Sequence, residues 1–341
     1  MNAMANSRRT VAVITGANAG IGYALAERLL KKSSKIHLCL ACRNKARAEE
    51  AADKLKQKFP DADVDIVLLD TSSVASVHRA AAELRNRYDH IDYLYLNAGM
   101  MKVTGVDWGY FWRGLFSSRV FYMFATGEGL LVHEDEVTDD GLQGVFETNL
   151  FGHYVLVKEL EDRLGSSASD RYNRSQLIWT SSSNATRKNF SMEDLQHEHG
   201  KDPYSSSKFA MDILSVGLND SMNKRNVYSH VVCPGLVMTN LTYGILPAWF
   251  WTLIMPFICL LRIFVPGMTY SAPNGAEALV WLSTQDPVSL DPQVKYQSFC
   301  GVTGHSYVNQ EKMSIGVDEG QELIKKLDEI DESLQKKCSK N

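Results

Sequence analysis

Thr10-Val11-Ala12-Val13-Ile14-Thr15-Gly16-Ala17-Asn18-Ala19-Gly20-Ile21-Gly22 is the stretch whose reading decides the fold. Val11 to Ile14 form a short apolar run suited to a buried strand. Ile21, Leu25, Leu29 and Leu30 then recur at helical spacing. Strand, glycine turn and helix in that order are the context a dinucleotide fingerprint requires. Gly16 permits the tight turn, Gly20 lets a pyrophosphate approach the backbone, and Gly22 lets the helix pack on the strand. The helix start offers free N–H groups and a positive dipole end to phosphates. Thr15, Asn18, Ala19 and Ile21 complete the set of candidate contacts on this turn.

The next strand, Ile36 to Cys42, ends at Arg43-Asn44. A site for NAD would place an acidic residue near this point to grip the ribose 2′-hydroxyl. None stands between Leu38 and Ala48, whereas Arg43, Lys45 and Arg47 are present. A guanidinium suits a 2′-phosphate, so the expected cofactor is NADP(H), with Arg43 and Asn44 as contacts. Far along the chain, Tyr204 and Lys208 stand four apart in Pro203-Tyr204-Ser205-Ser206-Ser207-Lys208. On a helix they share one face, and the ammonium is expected to lower the phenol's pKa toward working pH. The phenol can then give or take a proton.

With both motifs in hand, the chain resembles the short-chain dehydrogenase/reductase family from about Thr10 to Thr239. The resemblance implies a doubly wound, Rossmann-like α/β fold with a parallel sheet. It further implies adenine contacts at Asp70 and Thr71 and a ribose-facing turn at Asn97, Ala98 and Gly99. In that turn Leu96 stands where the family has a further Asn. Asn149 matches the helix residue that holds a relay water, and Pro234, Gly235 and Thr239 match the nicotinamide-facing segment. The substrate-polarising serine is aligned with Ser182, at the end of the strand Leu177 to Thr180, with Ser181 as the near alternative. Counting back a dozen residues from Tyr204 nominates Ser191 instead. Yet Ser191-Met192-Glu193-Asp194 reads as a helix cap with acidic first-turn residues.

Composition narrows the function classes. Lys+Arg total 36 against Asp+Glu 40, a net charge of −4, which leaves no electrostatic footprint for nucleic acid. The six cysteines lack a secretory disulfide framework and fit a reducing compartment. Cys39 and Cys42 lie on a strand that should turn them to opposite faces, which argues against a redox or metal pair. No metal site is assigned. Sequons at Asn173, Asn184, Asn189 and Asn240 are read as unused.

Residues 1–9 read as a polar tail without a signal peptide, 10–316 as a single catalytic domain, and 317–341 as an amphipathic surface or partner helix with its tail. Two insertions interrupt the domain. That at 100–137 carries Trp108, Tyr110, Phe111, Trp112, Phe116, Phe121, Tyr122 and Phe124 beside Arg113 and Arg119. Such a mixture suits a membrane interface, a wall for a flat apolar ligand, or a small core of its own. The second, 243–265, holds an uncharged run from Ile245 to Leu261. About 20 apolar residues span a bilayer, and Pro247 and Pro256 interrupt this one, so the favoured expectation is an apolar lid dipping into one leaflet, with a spanning helix and a buried soluble lid as the alternatives.

The aromatic insertion, Tyr243 to Pro247, Cys39 to Asn44, Leu177 to Ser182 and Asn274 to Leu282 resemble the 3-keto-steroid reductases of sterol synthesis in particular. That resemblance implies an NADPH-dependent reductase of a 3-ketosterol, with estrone's 17-ketone as a further substrate. It implies the endoplasmic-reticulum membrane, a cytosol-facing catalytic domain, sterol-demethylation partner enzymes and a homodimer. A retinoid or other lipid carbonyl reductase, and a non-catalytic NADP(H)-binding membrane scaffold, are the competing readings.

Overall fold

Apolar runs with helical stretches between them give the alternation β1 (Thr10–Thr15), α1 (Gly20–Lys32), β2 (Ile36–Cys42), α2 (Lys45–Lys58), β3 (Asp63–Leu68), α3 (Val74–Arg87) and β4 (Tyr93–Leu96). β5 (Val103–Val106) and β6 (Leu131–His133) then pair as an antiparallel ribbon, with α4 (Trp108–Leu115) between them. Gly144–Phe146, a π turn at Glu147–Phe151 and α5 (Gly152–Glu159) form one helical run. The chain continues through β7 (Ser175–Thr180), α6 (Pro203–Met222), β8 (Val227–Cys233), α7 (Glu277–Leu282), β9 (Val294–Cys300), β10 (Ser306–Lys312) and α8 (Val317–Cys338). This computed structural model describes residues 9–117, 120, 123, 129–166, 173–238 and 263–338. Thr239, the apolar run Ile245 to Leu261, and Arg119, Phe121, Tyr122 and Phe124 of the insertion lie outside the described residues. No described helix is long and apolar enough to cross a membrane.

The main sheet has the order β3-β2-β1-β4-β7-β8-β9-β10. Strand order reverses between β1 and β4, so a crevice opens there at the strands' carboxyl ends, where doubly wound folds bind ligands. The sheet departs from the expected parallel arrangement at one edge. β10 runs antiparallel to β9, because a connection as short as Gly301 to His305 can only fold the chain back on itself.

Each sheet face carries its own core layer. Cys39 belongs to one layer and Cys42 to the other, so the strand does separate the two thiols. Trp179 is fully buried and its indole N–H donates to Ser229 Oγ at 3.0 Å, which satisfies the one polar atom it takes inside. The apolar stripe of α8 is covered by its own domain, since Leu323, Leu327 and Leu334 pack in the layer that contains α6. Gly320 sits against Gly217 so closely that a Cβ there would lie 2.6 Å from the Gly217 backbone. A second tie comes from Arg187, whose guanidinium holds the Glu319 carboxylate through two 2.8 Å bonds. Arg187 also stands 5.1 Å over the Phe209 ring. The loop after β7 is thereby fastened to both helices.

Candidate active site

The glycine turn is shaped by close approach. Gly16 has φ +68° and its N–H donates to Ala41 O at 2.8 Å. Gly20 has φ +56°. A Cβ on Gly22 would lie 2.5 Å from Gly16 O and 2.7 Å from Asn97 Nδ2, so Gly22 packs on the turn and on Asn97 rather than on the strand. Ala19 precedes α1 without any side-chain cap, which leaves the first N–H groups of the helix available to an anion. A cavity of about 340 Å³ opens over this point. Gly16, Asn18, Ala19, Gly20 and Ile21 form its floor, Arg43, Asp70 and Thr71 one end, and Asn97, Ala98 and Gly99 the middle. Tyr204, Lys208 and Pro234 close the other end.

Thr15, Asn44 and Gly235 do not line this cavity. Thr15 is fully buried, and its Oγ1 accepts from the N–H groups of Asn97 at 2.8 Å and Ala98 at 2.9 Å. It braces the turn after β4 instead of facing a ligand. Asn44 caps α2, its Oδ1 accepting from Arg47 N at 3.0 Å. Gly235 has φ +73° and packs against the Gly267 carbonyl, and its successor's N–H donates to that oxygen at 2.8 Å. Arg43 is largely exposed at the rim, with Nε 3.8 Å from Asp70 Oδ2. The guanidinium is therefore free to turn toward an anion in the cavity.

Asp202 starts α6 by accepting from Ser205 N at 2.9 Å, and Pro203 follows in the first turn, where its missing N–H costs nothing. Tyr204 and Lys208 come one turn apart, the ammonium 5.7 Å from the phenol ring centre. Lys208 is buried and donates to Thr180 O at 2.7 Å. Burial pulls its pKa down to about 8, against the opposing pull of Asp212. Tyr204 behaves otherwise than expected. Burial pushes its phenol up to about 12, and the opposing hydrogen bond comes from Ser182, not from the ammonium. At that value the phenol keeps its proton at neutral pH, which is the form a ketone reductase needs.

Ser182, next to the cavity, thus pairs its hydroxyl with the Tyr204 phenol and also accepts from Asn184 N at 3.1 Å. Ser181 lines the cavity, but its hydroxyl turns inward to Lys208 O at 3.4 Å. Ser191 caps only a local turn, accepting from Glu193 N at 3.2 Å; no helix begins there. The long gap from Ser182 to Tyr204 is spanned by bends and one short 3₁₀ turn, Arg187–Asn189. Asn184 is buried and Asn189 donates to Ser205 Oγ at 2.9 Å, so both side chains serve the loop.

Asn149 lies in the π turn, a feature frequent at functional sites. Its side chain accepts from Met100 N at 2.7 Å and donates to Met100 O and Ser207 Oγ, both at 3.0 Å. It clamps the chain just after Gly99, where the sequence suggested a water-holding role. Sequence reasoning missed His153, one turn beyond Asn149. This histidine is fully buried 3.0 Å from Thr15 Oγ1, and burial lowers its pKa to about 4. The spacing of Asn149 and His153 by four was the available signal. His133, on the ribbon of the insertion, was missed as well; its Nε2 lies 3.5 Å from Asp202 Oδ1 at the start of α6.

The short chain dehydrogenase model matches residues 10–109 and 123–247. Over 326 residues the chain is 50% identical to the rat (Rattus norvegicus) "3-keto-steroid reductase/17-beta-hydroxysteroid dehydrogenase 7", covering 96% of each. The human (Homo sapiens) protein of that name is 49% identical over 326 residues, 96% of this chain and 94% of its own. Among solved structures, L-sorbose reductase from Gluconobacter frateurii, complexed with NADPH and L-sorbose, superposes with a TM-score of 0.54 at 20% identity. That match covers 80% of this chain and 89% of the reductase.

Proposed function

The chain belongs to the short chain dehydrogenase family, and from that premise we propose that it reduces a steroid ketone to the hydroxyl with NADPH. The observation that carries the chemistry is the Ser182 hydroxyl hydrogen-bonded to the Tyr204 phenol, beside a cavity floored by the glycine turn. The steroid enters from the two mammalian relatives, alike over nearly the whole chain.

The cavity fits a dinucleotide. Uncapped N–H groups at the start of α1 face it, Gly16 and Gly20 hold positive φ beside it, and Arg43 at its rim can hold a 2′-phosphate. Bound there, NADPH would supply the hydride that the carbonyl carbon takes up. Tyr204 gives its proton to the ketone oxygen. Ser182 donates to the same oxygen as charge develops on it, which is where a fixed donor contributes most. Lys208 holds ribose and favours the phenolate left behind. Asn149 fixes Met100, which lines the cavity next to Gly99.

The same reading puts the protein on the cytosolic face of the endoplasmic reticulum. Trp108 and Trp112 of α4 and the adjacent Phe116 are exposed by 46%, 56% and 84%, an aromatic surface suited to the headgroup layer. Ile263 and Phe264, which follow the apolar run, are exposed too.

Tyr204→Phe tests the chemistry. The ring remains and the proton donor goes, so NADPH binding should persist while ketone reduction is lost. Turnover near wild type would remove Tyr204 from the mechanism.

A further inference from the structure

A buried ion pair lies behind the candidate catalytic groups. Asp212 stands on α6 one turn beyond Lys208 and two beyond Tyr204, and it is 1% exposed. Lys295 comes from β9, is 7% exposed, and places Nζ 2.5 Å from Asp212 Oδ2. The same ammonium donates to the carbonyl oxygen of Ser182 at 3.3 Å. The Ser181 hydroxyl reaches the Asp212 carboxylate. Lys208 meanwhile holds Thr180 O. The end of β7 that presents Ser182 is thus tied on both sides to the helix that presents Tyr204. Lys208 takes one carbonyl, Lys295 another, and Asp212 gathers Lys295 and the hydroxyl between them.

Burying such a pair is costly, and pairs like it are often replaceable by apolar residues without loss of stability. Its worth here therefore lies in what it holds. We propose that Asp212 and Lys295 form a positioning pair for ketone reduction, fixing the Ser182 hydroxyl against the Tyr204 phenol. The groups facing Lys208 are Tyr204 and Asp212 from its own helix, Cys233 from β8, Lys295 from β9 and His153 from α5. Of these, Asp212 acts most strongly to keep it protonated, and Lys295 opposes more weakly. Removing both should lower the Lys208 pKa from about 8. Activity that needs the ammonium should then fail at lower pH.

The inference rests on the reductase reading, so its test separates the two. Asp212→Leu/Lys295→Met removes the pair without leaving a buried charge. Melting temperature, NADPH affinity across pH by nicotinamide fluorescence, and kcat with a 3-ketosterol are measured beside wild type. The variant should fold and bind NADPH at mildly acidic pH. Its kcat should fall roughly 100-fold, the scale of a small misplacement of reacting groups. The alkaline limbs of both kcat and NADPH affinity should move to lower pH. A wild-type protein inert to every ketone would overturn the reductase reading, while the NADPH limb still reports on the pair. A folded double variant with wild-type kcat and unmoved limbs would overturn the inference. Asp212→Asn, which keeps the shape, must shift the limbs the same way, and unmoved limbs there would also overturn it.

Discussion

Ser182→Ala should disable reduction while leaving the protein folded. The hydroxyl makes two contacts: it bonds the Tyr204 phenol and accepts from Asn184 N at 3.1 Å. Only the second concerns stability, and Ser182 is half-buried, so the loss should be about 0.5–1.5 kcal/mol. The first concerns the reaction. A donor aimed at a developing oxyanion is worth about 2–4 kcal/mol, or on the order of 10²–10³ in kcat. The phenol also loses the partner that opposes its upward shift, which adds in the same direction. Initial rates of NADPH oxidation with saturating 3-ketosterol, beside melting temperature and NADPH affinity, separate these effects. Ser181→Ala should cost less, since that hydroxyl points into α6, and Ser191→Ala should be silent. A damaging Ser191→Ala together with a silent Ser182→Ala would refute the reasoning.

Other expectations follow from single contacts. Arg43→Asp should raise the KM for NADPH strongly and improve use of NADH, because Arg43 is the cation on the cavity rim; an unchanged preference would move the role to Lys45 or Arg47. Gly320→Val should lower the melting temperature by several degrees, at the upper end of the about 1–3 kcal/mol typical of overpacking, because the added carbon meets the Gly217 backbone. Glu147 is fully enclosed, and burial pushes its carboxyl up to about 8. Its folded pKa exceeds its unfolded one, so the associated stability is present in acid and lost as pH rises toward 8. Glu147→Gln should therefore stabilise the protein at pH 8 and make no difference near pH 4, as equilibrium unfolding at the two pH values would show.

The first half of the fold was legible because local signals agree there. The Val11 to Ile14 run, the glycine turn and the Leu25/Leu29 stripe each specify the same strand–turn–helix unit, and β2 falls on the expected residues Ile36 to Cys42. Most candidate cofactor residues line one cavity for the same reason. Thr15, Asn44 and Gly235 were harder, since a residue inside a binding motif can brace the loop from behind, and spacing does not reveal which way it faces. Lys208 stands one turn from Tyr204 as the spacing implies, but the phenol's pKa rises instead of falling, because burial outweighs the pull of an ammonium that donates to Thr180 O. Asp212 and Lys295 lie 83 positions apart on different elements, and nothing local to either announces the pair. The amphipathic stripe of α8 was plain in the sequence, but its partner, Gly217 and its neighbours on α6, was not.

The central claim is tested most directly by supplying the purified full chain with NADPH and, separately, a 3-ketosterol, estrone and retinal, in detergent or lipid vesicles, and identifying the products. The account predicts conversion of the 3-ketosterol to the 3-hydroxysterol with matching NADPH oxidation, weaker turnover of estrone and little of retinal. Tight NADPH binding without reduction of any ketone, or retinal as the preferred substrate, would contradict it.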